Sequence, residues 1–203
     1  MTAPLDPAAA EVLVAWFGTT ALEGPIDPAV PKRWFTVDPD FDESLRARFE
    51  PLVSQAARGE LRAWEDSPAG ALAVVILLDQ FTRNLYRDDP RAFEADPVAR
   101  EVAARAIAKG YDKALSMQPR SFFYLPFEHA EDRDLQARAV SLFQAMVDAA
   151  TPDERSTAEY YLSYAVRHQV VIDRFGRFPH RNRVLGREST PAEREHLDAG
   201  KTF

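Results

Sequence analysis

The chain of 203 residues has a formal net charge of −7, and 46% of its residues are hydrophobic, 28% charged and 11% aromatic. This length and balance predict one globular domain with a sizeable core and exclude a disordered chain. The absence of cysteine excludes disulfides, thiolate metal sites and cysteine nucleophiles. The negative charge argues against binding to nucleic acid or to anionic membranes.

No segment has the pattern of a signal peptide or of a membrane span. Residues 1–18 mix apolar residues with Asp6 and Glu11, which is typical of an amphipathic helix and not of a secretory signal. The longest apolar run, AGALAVVILL at residues 69–78, is about half the length that crosses a bilayer. We therefore predict a cytoplasmic protein.

Eight of the fifteen prolines directly follow Asp, Ser or Thr. An oxygen-bearing N-cap accepts a hydrogen bond from a free backbone N–H, and proline at the first helical position has no N–H to leave unpaired. The predicted helix starts are Asp6-Pro7, Asp27-Pro28, Asp38-Pro39, Ser67-Pro68, Asp89-Pro90, Asp96-Pro97, Thr151-Pro152 and Thr190-Pro191. Thr151 with Glu154 and Thr190 with Glu193 also fit the capping box.

Apolar residues recur at helical spacing after these starts. One stripe passes through Pro51, where we expect a kink or break; it comprises Phe41, Leu45, Phe49, Leu52 and Ala56. Another comprises Leu135, Ala139, Leu142, Phe143, Met146 and Val147. Glycines placed to end helices are Gly18, Gly110 and Gly176. No run alternates between apolar and polar residues, which is the pattern of a β-strand. We therefore predict an all-α domain of about eight to ten helices, with a tail helix at 191–199. No segment of the sequence recurs at the length of a tetratricopeptide repeat, about 34 residues.

The first of three polar segments follows the apolar run, in LAVVILLDQFTRNLYRD at residues 72–88. Asp79 and Arg83 stand at i, i+4, as do Gln80 and Asn84, so each pair shares a helix face. A carboxylate on a buried helix needs a partner, and Arg83 is the local one. The pair is either a structural ion pair or part of a ligand site.

The second segment joins the aromatic stretch FFYLPF to Glu128, His129 and Asp132. Carboxylate and imidazole side chains at this spacing could act as an acid–base pair or as metal ligands. The Glu-x-x-His pattern of di-iron sites occurs only at Glu193–His196, and His-Glu-x-x-His is absent. We therefore expect no metal and favour a charge cluster at a helix end.

The third segment is DRFGRFPHRNRVLGRE, residues 173–188, in a chain with 21 arginines and four lysines among its 25 basic residues. Arginine suits bidentate binding of carboxylate or phosphate, although compositional bias also produces such an excess. A short helix after Pro179 would present backbone N–H groups and guanidinium groups to an anion. Alternatively, these arginines neutralise acidic segments such as EHAEDRD. His168, on the preceding aromatic helix, is a hydrogen-bonded core residue or a ligand.

No G-x-S-x-G, Walker A, G-x-G-x-x-G or kinase pattern is present. The motifs LDQFTRN, FFYLPFEHAED, RFGRFPHRN and LGRES, with KRWF and FDESL nearer the N-terminus, resemble the bacterial domain-of-unknown-function family 924 over nearly the full chain. Thr82 stands where the family has Pro, which removes a possible kink, and Ala130 where it has Ser, which removes a hydroxyl beside His129. The resemblance implies a compact helical domain related to tetratricopeptide-like arrays and brings no established activity, substrate or cofactor.

Three functions stay open, and we rank a binding module first. Its ligand would be a small anion or a peptide carboxylate, with no cofactor. The candidate binding residues are Asp79, Gln80, Arg83, Asn84, Glu128, His129, Asp132, His168, Arg177, His180, Arg181 and Asn182. A purely structural scaffold ranks second. A hydrolase or lyase with Glu128 or His129 as base and His180 as acid ranks third.

Overall fold

The structure is a computed structural model that describes residues 4–34 and 36–200, with the side chain of Arg33 also outside the description. Arg33 and Phe35 of the KRWF match therefore lie outside the described side chains. The regular structure of the described residues is helical, without a strand, which confirms the all-α prediction. Backbone contacts group the chain into two compact units, one of residues 1–87 and 91–126 and the other of residues 88–90 and 127–203.

The first unit, unit 1, contains most of the short helices. Its helices are α1 (Pro7–Phe17), α2 (Pro31–Trp34), α3 (Pro39–Ala57), α4 (Pro68–Val75), α5 (Thr82–Leu85), α6 (Arg91–Glu94), α7 (Asp96–Ala108) and α8 (Met117–Ser121). A π-helical turn, Ile76–Phe81, joins α4 to α5, and 3-10 turns lie at Arg62–Asp66 and Asp112–Ala114. The apolar run is buried from Gly70 to Leu78, as expected for a helix that is hydrophobic on all sides.

Aromatic rings form the core of unit 1. Trp16 stacks on Trp34 at 6.2 Å between ring centroids, and Phe122 meets Trp34 edge-on at 4.8 Å. The Trp34 indole N–H donates to the Trp16 carbonyl at 2.9 Å, so a buried polar atom is satisfied inside an apolar cluster.

The second unit, unit 2, is built on two long helices. The chain leaves α9 (Leu125–Glu128), forms α10 (Arg133–Ala149) and α11 (Arg155–Phe175), makes a 3-10 turn at Pro179–Arg181 and ends in α12 (Pro191–Asp198). The apolar stripe of α10 packs against α11 and includes the buried Ala139, Phe143, Met146 and Val147. A smaller apolar cluster lies at the C-terminal end of α11 and consists of Val171, Ile172 and Phe178.

Four predicted N-caps are confirmed by side-chain hydrogen bonds: Asp6, Asp38, Ser67 and Thr190. Thr190 and Glu193 form the predicted capping box. A helix also starts at Asp96-Pro97 as predicted, although Asp96 is the first residue of α7 and does not cap it. The other three predicted starts are wrong, because turns follow Asp27, Asp89 and Thr151. Glu154 does accept from the backbone N–H and hydroxyl of Thr151, but α11 begins only at Arg155.

Of the kink or break expected at Pro51, the break is wrong, because α3 continues through this exposed residue to Ala57; the kink stays a prediction. The predicted helix-ending glycines are confirmed, since Gly18, Gly110 and Gly176 all have left-handed backbones with φ between 71° and 74°. Thr82 donates its hydroxyl to the Leu78 carbonyl at 2.9 Å. None of the described helices is long and apolar enough to cross a bilayer. The tetratricopeptide-like arrangement stays a prediction.

Candidate functional site

The first polar segment lies in unit 1 and forms a closed network. Arg83 Nη1 lies 3.2 Å from the fully buried Asp79 carboxylate, so the i, i+4 pair that the sequence predicts is present. Arg83 also binds Asp96 through two hydrogen bonds of 2.9 and 3.1 Å. Asn84 donates to Asp42 at 2.7 Å, and Gln80 donates to Asp79. These contacts tie α5 to α3 and α7, which favours a structural role.

The second segment meets α11 inside unit 2 at a buried carboxylate–imidazole pair. Glu128 and His168 each have 4% of their surface exposed, and His168 Nδ1 lies 3.2 Å from Glu128 Oε1. The same nitrogen lies 2.8 Å from the carbonyl oxygen of Tyr164, one helical turn earlier in α11. Because both neighbours are acceptors, Nδ1 carries the proton and Nε2 is the basic nitrogen of the ring.

Two histidines and an arginine gather around Phe178, and a third histidine lies beside them. The ring of His168 meets Phe178 edge-on at 5.6 Å, and the ring of His180 lies 5.6 Å from Phe178. The buried guanidinium of Arg181 covers the Phe178 ring at 4.6 Å. The half-buried His129 lies 6.3 Å from His168 between ring centroids. We call Glu128, His129, His168, His180 and Arg181 the histidine cluster.

Two imidazoles of this cluster, those of His168 and His180, are held neutral. Burial lowers the pKa of His168 to about 3, outweighing the hydrogen bond to Tyr164, which favours the charged ring. Burial, followed by the positive charge of Arg181, lowers the pKa of His180 to about 4. At neutral pH the guanidinium of Arg181 is therefore the fixed positive charge among these side chains, next to imidazoles that still have basic nitrogens.

Glu131 and Arg187 clamp the segment that carries Phe178, His180 and Arg181. Arg187 binds the Glu131 carboxylate through hydrogen bonds of 2.6 and 2.9 Å, and Glu131 accepts from the Phe178 backbone N–H at 2.8 Å. Although burial raises the pKa of Glu131, the hydrogen bonds from Arg187 and from the Phe178 N–H hold it below its usual value. The alternative that arginines of this segment neutralise EHAEDRD is thus realised at Arg187.

Three residues that the sequence singled out have other tasks. Asp132 is exposed and caps α10 by accepting from the Leu135 N–H at 2.9 Å. Arg177 binds Glu193 through hydrogen bonds of 2.7 and 2.9 Å. Asn182 donates to the Ser189 hydroxyl at 3.0 Å and accepts from Arg187 at 3.0 Å.

Sequence reasoning missed Glu131, Arg187 and Phe178 as organising residues. Their only signal was membership in the two charged segments, because the partners of these residues lie up to 56 residues away in the chain. For Glu193 it found the capping box but missed the ion pair with Arg177. The Glu193–His196 pattern does not form a metal site, since Glu193 is held by Arg177 and the His196 ring packs on Phe175 at 5.1 Å. No group of three or more His, Asp or Glu able to hold a metal occurs in the part of the chain that the structure describes.

Fold and site together define an all-α protein with a buried cluster of imidazole, carboxylate and guanidinium groups. The sequence model of a bacterial family of unknown function (DUF924) matches residues 12–201, and the chain belongs to that family. A solved structure of a protein of unknown function from Agrobacterium tumefaciens is 40% identical, with a TM-score of 0.81. The match covers 95% of this chain and 97% of that one. Among curated proteins, none matches.

Proposed function

We propose that this protein is a cytoplasmic binding module whose histidine cluster takes a small anion, a carboxylate or phosphate group. The observation that carries the proposal is the buried guanidinium of Arg181 beside imidazoles that burial keeps neutral. Guanidinium groups bind oxyanions with strong, charge-assisted hydrogen bonds. Neutral imidazoles add donors without a fixed charge of their own.

Binding of an anion would be coupled to uptake of a proton. An anion next to His168 or His180 favours the charged ring and so raises a pKa that burial has lowered. Affinity should therefore rise as pH falls from 7 towards 5, the opposite of the trend expected for a site that releases a proton. This coupling separates the cluster from an ordinary surface arginine, which does not titrate in this range.

Isothermal titration with succinate and with inorganic phosphate at pH 6 and pH 7 tests the proposal. We expect saturable binding that is tighter at pH 6, with a heat that varies with the ionisation enthalpy of the buffer. Arg181→Gln should weaken binding roughly tenfold or more. Arg174→Gln, which changes an exposed arginine stacked on Phe175, should leave binding unchanged. Unchanged binding in a folded Arg181→Gln variant would assign the cluster to a scaffold.

A second candidate function rests on the Glu128–His168 pair. A carboxylate on the Nδ1 side of an imidazole orients the ring and supports the positive charge that forms when Nε2 takes a proton. We propose a hydrolase-type general base here as the alternative, with His168 in the place that the sequence had given to Glu128 or His129. Turnover of p-nitrophenyl acetate and p-nitrophenyl phosphate that persists in His168→Gln would reject this alternative.

A further inference from the structure

A cleft in unit 1 lies apart from the polar network of Asp79 and Arg83. It opens between the end of α3, the 3-10 turn Arg62–Asp66, α4 and α7, and its volume is about 340 Å³. That volume is within the range of pockets that hold small organic molecules, roughly 300–1,000 Å³. The cleft combines an apolar floor with a charged rim.

The floor of the cleft is aliphatic. Val74 and Val102 are each 2% exposed and belong to α4 and α7, and the half-buried Val98 lies one turn before Val102. Ala56 from α3 completes the contact surface. Because Val74 and Val102 are almost completely covered, Val98 offers most of the exposed valine surface. A hydrocarbon body placed here would bury mainly its own apolar area, at about 25 cal/mol per Å² removed from water.

Most of the rim charges are already neutralised by one another. Arg105 binds both oxygens of the buried Glu65, at 2.8 and 3.0 Å. Arg58 is held by Glu60 at 2.6 Å. The charges of these two bidentate arginine–carboxylate pairs therefore cancel. Because each guanidinium already binds a carboxylate, neither is available to bind a second one.

Arg62 is different. Its side chain is 63% exposed, and its nearest contact with Glu65 is 3.6 Å, beyond hydrogen-bond range. Both oxygens of that carboxylate already accept hydrogen bonds from Arg105. The exposed Glu101, which lies 3.7 Å from Arg105, adds one negative charge. The charged side chains that line the cleft leave it with one net positive charge in a chain of charge −7; they are Arg58, Arg62, Glu65, Glu101 and Arg105.

We propose that this cleft binds a small monocarboxylate with an apolar body, such as a short-chain fatty acid or an aromatic acid. The carboxylate would pair with the guanidinium of Arg62, whose planar fork matches it, and the hydrocarbon would lie on Val74, Val98 and Val102. A single excess positive charge suits a monoanion better than a dianion such as phosphate, which would also be repelled by Glu101. The cleft is independent of the histidine cluster, so failure of either site leaves the other unaffected.

Methyl NMR titration of valine-labelled protein with hexanoate, and with hexan-1-ol as the neutral match, tests this inference. We expect saturable shifts of the methyl groups of Val74, Val98 and Val102 with a Kd of about 1 mM for hexanoate, and weaker binding of hexan-1-ol. Arg62→Gln should raise the Kd for hexanoate about tenfold and leave hexan-1-ol unchanged. Because Arg62 is exposed, this variant should fold normally.

Two controls make the result decisive. Arg155→Gln removes an equally exposed arginine that pairs with Glu159 at 3.0 Å in unit 2, and it should not alter hexanoate binding. Val98→Trp should fill the cleft and abolish the shifts of Val74 and Val102. Equal affinity for hexanoate and hexan-1-ol, an unchanged Kd in Arg62→Gln, or the absence of saturable shifts would each overturn the proposal.

Discussion

His168 Nδ1 lies 2.8 Å from the Tyr164 carbonyl oxygen and 3.2 Å from Glu128 Oε1, so one ring nitrogen serves two acceptors. The first acceptor belongs to the backbone of α11 and comes with the helix, whereas the second comes from α9 through tertiary packing. The ring is therefore held in one orientation by both local and long-range structure.

We predict that His168 is a neutral ring protonated at Nδ1 from pH 8 down to about pH 4. Burial lowers the pKa of His168 to about 3, so the charged form should appear only below that range. Nitrogen-15 NMR of labelled histidine measures both the tautomer and the titration. In Glu128→Gln the tautomer should persist, because the Tyr164 carbonyl remains; a switch to the Nε2 tautomer would contradict this assignment.

Stability should fall as pH drops from about 6.5 towards 4. His168 and His180 have lowered pKa values in the folded state, about 3 and about 4, so the unfolded chain binds more protons in this window. Stability is then fully present above the ordinary histidine pKa and is lost on acidification, by about 2 kcal/mol for each of the two rings between pH 7 and pH 5. Urea unfolding at both pH values measures it, and the double variant His168→Gln, His180→Gln should show a flatter dependence.

Glu131→Gln should loosen the segment that carries Phe178, because it removes the charge that Arg187 binds through two hydrogen bonds. We expect a loss of about 1–2 kcal/mol for this half-buried pair, after allowing for screening by water. Thermal unfolding measures the change. The exposed Glu188→Gln in the same segment is the control and should stay within about 0.5 kcal/mol of wild type.

Glu193 should determine whether α12 stays docked. Hydrogen bonds from Arg177 outweigh burial and lower the pKa of Glu193 to about 2, and the Thr190 N–H donates to it at 2.7 Å. We expect Glu193→Gln to speed amide exchange in residues 191–198 roughly tenfold. Glu195→Gln changes an exposed glutamate of the same helix and should have no such effect. In wild type, protection of α12 should weaken as pH falls from about 4.5 to 2.

Gly70 should not tolerate a side chain. A Cβ built on Gly70 would lie 2.2 Å from the Trp64 carbonyl oxygen, a backbone atom that cannot move alone. We expect Gly70→Ala to cost about 1–3 kcal/mol despite the higher helix propensity of alanine. Denaturant unfolding measures this. Gly24→Ala is the matched control, because φ is not positive there and a Cβ would meet no atom within 4 Å; it should stay within about 0.5 kcal/mol of wild type.

The helical class and several helix ends were predictable from the sequence because their causes are local. The confirmed caps accept hydrogen bonds from backbone N–H groups two or three residues away, so neighbouring residues make the whole interaction; these caps are Asp6, Asp38, Ser67 and Thr190. The same rule failed at Asp27, Asp89 and Thr151, where an identical dipeptide opens a turn. A cap residue followed by proline only favours a helix start. The packing of the following residues decides whether a helix forms there.

The site depended far more on tertiary structure. The sequence indicated that Asp79 pairs with Arg83, because both lie on one helix face, yet it was silent on Asp96 and Asp42. The sequence also indicated the arginine-rich segment 173–188 but not which carboxylates its arginines bind. With 21 arginines and 32 acidic residues, many pairings are equally attractive on charge alone.

Composition, periodicity and adjacent residues by themselves determined an all-α chain, the ends of several helices and the segments where polar groups concentrate. Only the tertiary structure decided that Arg187 binds Glu131, that Arg177 binds Glu193 and that Glu128 meets His168. The physical reason is how far apart in the sequence the interacting residues lie. A cap or an i, i+4 pair is complete within one helical turn, whereas an ion pair between distant segments forms only after core packing has brought its two charges out of water together.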